Sequence, residues 1–163
     1  MRYAVLALLW VTTTATFADE ASYGVISYRD FHVRQVTIGD SYGGVIEKLG
    51  KPRKEIRIKG DPSVDVSDGI KLYFPGLYIS LHEGEVGEIV VTSKEYAVKG
   101  IRLGATASEV IAQIGNAKPI TINNRTSLRY RSRAQNGQLT DAELRFFLEK
   151  NKVTEISLWF PTI

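Results

Sequence analysis

The chain contains no cysteine. That absence excludes a disulfide framework, a thiolate nucleophile, a cysteine-held metal and a lipid-anchoring cysteine. Histidine is scarce, so any histidine base must be His32 or His82. Charge of one sign is not in excess: 21 Lys and Arg face 18 Asp and Glu, for a net +3 with His neutral. Loss of Arg2 with a leader lowers this to +2, too little to argue for nucleic-acid binding. Long apolar runs are missing as well, because Ala4 to Val11 falls well short of the roughly 20 residues that a membrane span needs.

The N-terminus has the form of an export signal. Arg2 is its positive start, Ala4 to Val11 its apolar run, and Thr16-Phe17-Ala18 a small-x-small cleavage site before Asp19. Residues 1–18 are therefore expected to be removed, leaving a soluble periplasmic or secreted protein. The remaining residues, about 145, bury enough surface to fold without disulfides.

The rest of the chain repeats itself. Gly39-Asp40-Ser41 through Val45-Ile46, Leu49-Gly50 and Pro52 recurs as Gly104-Ala105-Thr106 through Val110-Ile111, Ile114-Gly115 and Pro119. Leu77 to Ile89 then aligns without gaps on Leu144 to Ile156. A repeat of this period implies two related supersecondary units, here 19–99 with an N-terminal extension and 100–163. Ser41 and Thr106 stand where helix N-caps belong, and Thr106 with Glu109 makes a capping box. Gly50 and Gly115 stand at left-handed C-caps, and Val45, Ile46 and Leu49 match Val110, Ile111 and Ile114 as one buried stripe.

After each helix the apolar period becomes two. Ile56 and Ile58, then Ile70, Leu72 and Phe74, then Leu77, Ile79 and Leu81, then Ile89 and Val91 form the inward sets of the first unit. Leu128 and Tyr130, then Leu144, Phe146 and Leu148, then Ile156 and Leu158 form those of the second. The expected fold is α+β: two tandem units, each a short helix on an antiparallel meander of about four strands, with the other sheet face exposed.

The motif Gly-x-Ser/Thr-x-x-x-Val-Ile-x-x-Leu/Ile-Gly, closed by Gly-x-Pro in the first copy, with a closing Glu-Gly-Glu-Val-x-x-Ile hairpin, resembles the SmpA/OmlA (BamE) domain of outer-membrane assembly lipoproteins. Its doubling is similar to the β-lactamase inhibitory protein family, which implies two joined sheets and a protein-binding surface. This chain departs from both in lacking their cysteines. It also has Tyr73-Phe74-Pro75-Gly76-Leu77 where the inhibitor projects an acidic hairpin.

Gly39-Asp40-Ser41-Tyr42-Gly43 matches a nucleophile-elbow pattern, but Thr106 holds the same place in the second copy, so Ser41 reads as a cap. The loop Gly60 to Gly69 carries Asp61, Asp65 and Asp68 without the spacing of a Ca²⁺ loop, and Asn124-Arg125-Thr126 is a formal sequon. No residue set supports turnover, and no metal or cofactor is implied.

The alternation leaves Lys71, Tyr73, Tyr78, Ser80 and His82 outward in the first unit, and Arg129, Arg131, Arg145, Phe147, Ser157 and Trp159 in the second. Aromatics and arginine are the residues of interface hot spots. The competing reading puts Phe147 or Trp159 in an inter-unit core. Arg125, Arg129, Arg131 and Arg133 add a basic stripe suited to an acidic protein surface, an anionic lipid headgroup or a cell-wall polymer; it also reads as a charged sheet edge. The sequence thus points to a non-catalytic module that occludes a partner protein such as an exported enzyme or toxin. The alternative is an envelope-assembly factor that binds outer-membrane proteins or anionic lipid.

Overall fold

A computed structural model describes residues 22–60 and 68–161. The signal segment and most of the acidic loop, with Asp61 and Asp65, lie outside these residues. The described residues are mixed α+β, mostly β, with two α-helices and one large open sheet.

The chain order is β1 (Gly24–Ser27), a 3-10 turn (Tyr28–Asp30), the hairpin β2 (His32–Val33) and β3 (Val36–Thr37), then α1 (Tyr42–Leu49). A meander follows: β4 (Lys54–Ile58), β5 (Gly69–Phe74), β6 (Leu77–His82) and β7 (Glu85–Val91). Next come α2 (Ala107–Ile114), β8 (Ile120–Ile122), β9 (Arg125–Arg133), β10 (Leu139–Glu149) and β11 (Lys152–Trp159).

Both helices start as their sequence requires. Ser41 Oγ accepts from the Gly44 N–H at 3.2 Å, and Thr106 Oγ1 accepts from the Glu109 N–H at 3.3 Å. Glu109 Oε2 accepts from the Thr106 N–H at 2.6 Å, completing the capping box. The C-caps differ from the left-handed geometry the motif suggests. Gly50 has φ 78° and ψ −164°, and Gly115 has φ 128° and ψ 174°. That region is open essentially to glycine alone, so the residue type is right and the conformation is a different one.

Equivalent backbone bonds recur in the two halves. Gly39 N–H donates to Val86 O at 2.8 Å, and Gly104 N–H to Val153 O at 2.7 Å. Val86 N–H donates back to Asp40 O at 2.9 Å, and Val153 N–H to Ala105 O at 2.8 Å. Each helix start is thereby fastened to the strand that closes its own meander.

The large sheet runs β1-β9-β10-β11-β7-β6-β5-β4, with β8 also on β9. All pairings are antiparallel except β1 on β9. The halves meet where β11 pairs with β7, placing Ser157 opposite Val90, Ile156 opposite Val91 and Leu158 opposite Ile89. On the sequence alignment Val90 and Ser157 are equivalent, as are Ile89 and Ile156. The seam therefore joins like to like around the Val90–Ser157 pair, the pattern of an isologous contact.

One face carries the core. Leu72, Ile79, Ile89, Leu128, Tyr130, Leu144, Phe146, Ile156 and Leu158 are all fully buried. They form a single cluster with Val45 of α1, Val110 of α2 and Phe31, Val33 and Val36 of the N-terminal segment. That segment reaches the second half, since β1 lies on β9. Gly24 permits this contact: a Cβ there would come within 2.3 Å of the Tyr130 ring. Among the described residues no helix is long and apolar enough to cross a membrane.

Two expectations fail here. Ile56 lies opposite Lys71, on the same face as Tyr73, so Ile56 and Ile58 sit on the open face rather than in the core. The register places Glu55 and Arg57 beside Leu72 and Ile70 instead, because β5 fixes which way an edge strand turns. The arginines of β9 are not a charged edge either, because that strand has β10 on one side and β1 and β8 on the other.

Candidate functional site

The open face is built in rows by strand register. One row reads Arg129, Arg145, Ser157, Val90, Tyr78, Tyr73 and Lys54 across β9, β10, β11, β7, β6, β5 and β4. The next reads Arg131, Glu143, Trp159, Glu88, Ser80, Lys71 and Ile56. A third begins Ser127, Phe147 and Glu155. Directly opposed residues share a face, so the sequence-selected residues all lie on this surface.

The register does not gather them equally. Tyr73, Tyr78, Arg129, Arg131, Arg145 and Trp159 occupy adjacent rows. His82 lies four residues beyond Tyr78, opposite Glu85 and Gly69, about 13 Å along the strand at the usual rise. Phe147 is only 9% exposed and the Arg125 guanidinium stacks 3.7 Å from its centroid, so it underlies the surface more than it presents it.

The arginine half is organised around a carboxylate that the alternation argument overlooked. Glu143, 7% exposed, receives Arg145 Nε at 2.7 Å and lies 3.5 Å from Arg129 Nη1. Arg129 Nε also donates to Ser127 Oγ at 3.0 Å. The Arg145 guanidinium stacks 4.4 Å over Trp159, and that of Arg131 lies 4.9 Å over Tyr23. One carboxylate thus orients two guanidinium groups, which aligns them and leaves positive charge to spare.

The tyrosine half is different. Tyr73 and Tyr78 pack at 5.9 Å between centroids, with Lys54 and Lys71 each 6.0 Å over one ring. Burial pushes the Tyr78 phenol up to about 12, and the charges of Glu88 and Glu155 push the same way. Glu155 is held by Arg125 at 2.9 Å, and Glu88 accepts from Ser157 Oγ at 3.3 Å.

Across the middle of this face six cations, Lys54, Lys71, Arg125, Arg129, Arg131 and Arg145, thus surround three carboxylates, Glu88, Glu143 and Glu155. These glutamates were findable, since each stands two residues before a residue of this face. Apolarity alone did not select them.

Ser41 caps α1, and its backbone bridges to Glu85. Its hydroxyl is engaged by Gly44, and His32 Nδ1 lies 3.0 Å from Arg29 O. Asn124, of the formal sequon, has φ 62° and sits with Asn123 in the two-residue β8–β9 hairpin, which needs positive φ at both positions.

No family model matches the sequence, and no curated protein matches it. Among solved structures, an extracellular protein containing an SCP domain from Bacillus anthracis is similar over 93% of this chain and 50% of that one, with 8% identity and TM-score 0.50. A DUF4309 family protein from Bacillus subtilis covers 78% of this chain and 84% of that one at 16% identity and TM-score 0.49. A cysteine-rich secretory protein from Staphylococcus aureus covers 76% and 44% at 11% identity and TM-score 0.48. The chain spans half the length of the Bacillus anthracis protein, and at such identity the likeness concerns the fold. None of the three is an SmpA/OmlA domain or a β-lactamase inhibitor.

Proposed function

We propose that this chain is an exported, non-catalytic protein-binding module whose open sheet face occludes an acidic surface on a partner protein, in the manner of an inhibitor or immunity protein. The observation that carries this reading is the one-sided sheet: its helices and core lie on one face, and the other bears ordered arginines and paired tyrosines. Eight strands abreast at about 4.8 Å spacing, averaging about 20 Å in length, present roughly 700 Å², close to the 800 Å² that one partner gives a standard interface. A broad surface of this kind suits a protein, whereas small ligands favour concave pockets.

Two finer elements belong to the same reading. The matched caps, matched strand bonds and like-to-like seam support a tandem doubling of one helix-plus-meander unit, of the kind in SmpA/OmlA and β-lactamase inhibitory proteins. Within it, what differs between the copies, tyrosines on one side and arginines on the other, is the recognition chemistry. The leader sequence supports export to the periplasm or exterior.

The test is affinity capture from exported fractions with the wild-type protein and a Tyr78→Ala, Trp159→Ala double variant, followed by activity assays on what is captured. One stoichiometric partner whose activity falls, with binding weakened by about 1–4 kcal/mol per lost ring, is the expected outcome. Equal capture by both forms would show the surface to be wrong. Recovery of several outer-membrane components, or binding to anionic vesicles, would replace the inhibitor by an envelope-assembly factor.

A further inference from the structure

A second feature lies at the corner of the sheet, away from the tyrosine half of the face. Where β1 gives way to its 3-10 turn, Tyr28, Arg29, Arg133, Ala134 and Thr140 line a cleft of about 350 Å³ whose walls are mostly carbon. A neighbouring hollow of about 340 Å³ shares Arg133 and Ala134 and continues past Val25. Three large apolar side chains are exposed at this corner: Val25 at 44%, Tyr28 at 40% and Leu139 at 44%. Strand register joins them to the cleft, with Ser27 and Leu139 each paired to Arg133.

The walls are fixed before any ligand arrives. The Tyr28 ring stacks on buried Phe31 at 6.1 Å, and its hydroxyl donates to Ile38 O at 3.4 Å. Arg133 Nη1 donates to Gly137 O at 2.6 Å, which holds the β9–β10 hairpin closed beside the cleft. Arg29 and Arg133 are among the residues lining the cleft, and among the described residues no Asp or Glu lines either hollow. The carbon-walled cleft asks for an apolar chain, and the arginines ask for an anion, since forked guanidinium groups pair with carboxylate and phosphate.

We propose that this corner binds a single-chain amphiphilic anion, with its acyl chain along the cleft and its headgroup on Arg29 and Arg133. The site lies within the range of small-ligand pockets; it adjoins the arginine half of the open face, since Val25 pairs with Arg131 and Ser27 with Arg133, and anion binding by Tyr78→Ala separates the failure of one role from the failure of the other.

Isothermal titration of the full chain tests it with three probes: laurate and dodecyl phosphate below their micelle concentrations, and dodecanol below its solubility limit. One-to-one binding of at least one anion is expected, with dodecanol at least tenfold weaker. Decanoate should bind roughly tenfold more weakly than laurate, from about 0.8 kcal/mol per buried methylene. The preferred anion identifies the headgroup. Arg29→Gln with Arg133→Gln should cost at least tenfold, and Ala134→Trp, which fills the cleft without touching either charge, should abolish binding. Circular dichroism confirms that each variant folds. Tyr78→Ala should bind the anion as the wild type does. Failure of both anions to bind, equal binding of dodecanol, or unchanged affinity in Ala134→Trp would overturn the proposal.

Discussion

Glu143 is the residue on which the open face depends. It is nearly buried with two guanidinium groups against it, and a carboxylate in that position is tolerable only because it is paired. Glu143→Gln keeps the shape and removes the charge. It should destabilise the fold by about 2–3 kcal/mol in urea denaturation, because Arg129 and Arg145 then lose a charge-assisted partner. Gly24→Ala should also destabilise, by about 1–3 kcal/mol, since the Tyr130 ring occupies the space its Cβ needs. Tyrosine titration reports on both halves. Tyr78 and Tyr130 are raised to about 12 from the ordinary 10.0, each chiefly by burial. A folded-state value above the unfolded one means stability that is whole below pH 10 and drains away as the pH rises toward 12. Absorbance titration should therefore show Tyr78 and Tyr130 as late phenols, with Tyr42 also raised by its hydrogen bond to Glu55, and Tyr78→Phe should remove one of the two near 12.

At the level of elements, helix starts and strand pairs carry different loads. The Ser41 hydroxyl makes one bond to the helix start, whereas Thr106 and Glu109 satisfy each other's backbone reciprocally. Ser41→Ala should cost about 1 kcal/mol and Thr106→Ala the same or somewhat more, and neither should change partner binding. A loss of binding on Ser41→Ala at unchanged stability would return Ser41 to a chemical role. The caps were legible because they depend on neighbours three residues away. Ile56 and Ile58 were misplaced because period-two alternation gives two faces without saying which is covered. In β4 that choice belongs to β5.

The two halves share one sheet and one apolar cluster. The β7–β11 seam is antiparallel and continuous with the strands on either side, and β1 carries the N-terminal segment onto β9 of the far half. Neither half can open without exposing core to water, so thermal unfolding should be a single transition with coincident far-ultraviolet and tyrosine signals. Two separated transitions would show the halves to be independent.

The sequence by itself determined what rests on local physics: the paired helix caps, the apolar stripes, the strand periods and the residue types of the open face. These depend on contacts within a few positions, so composition and spacing express them. Tertiary structure alone decided that β7 meets β11, that β1 crosses to β9, that Phe147 lies beneath Arg125, and that Glu143 sits between two arginines. Each of these is a pairing between segments distant in sequence, settled by strand register and by burial of one common core.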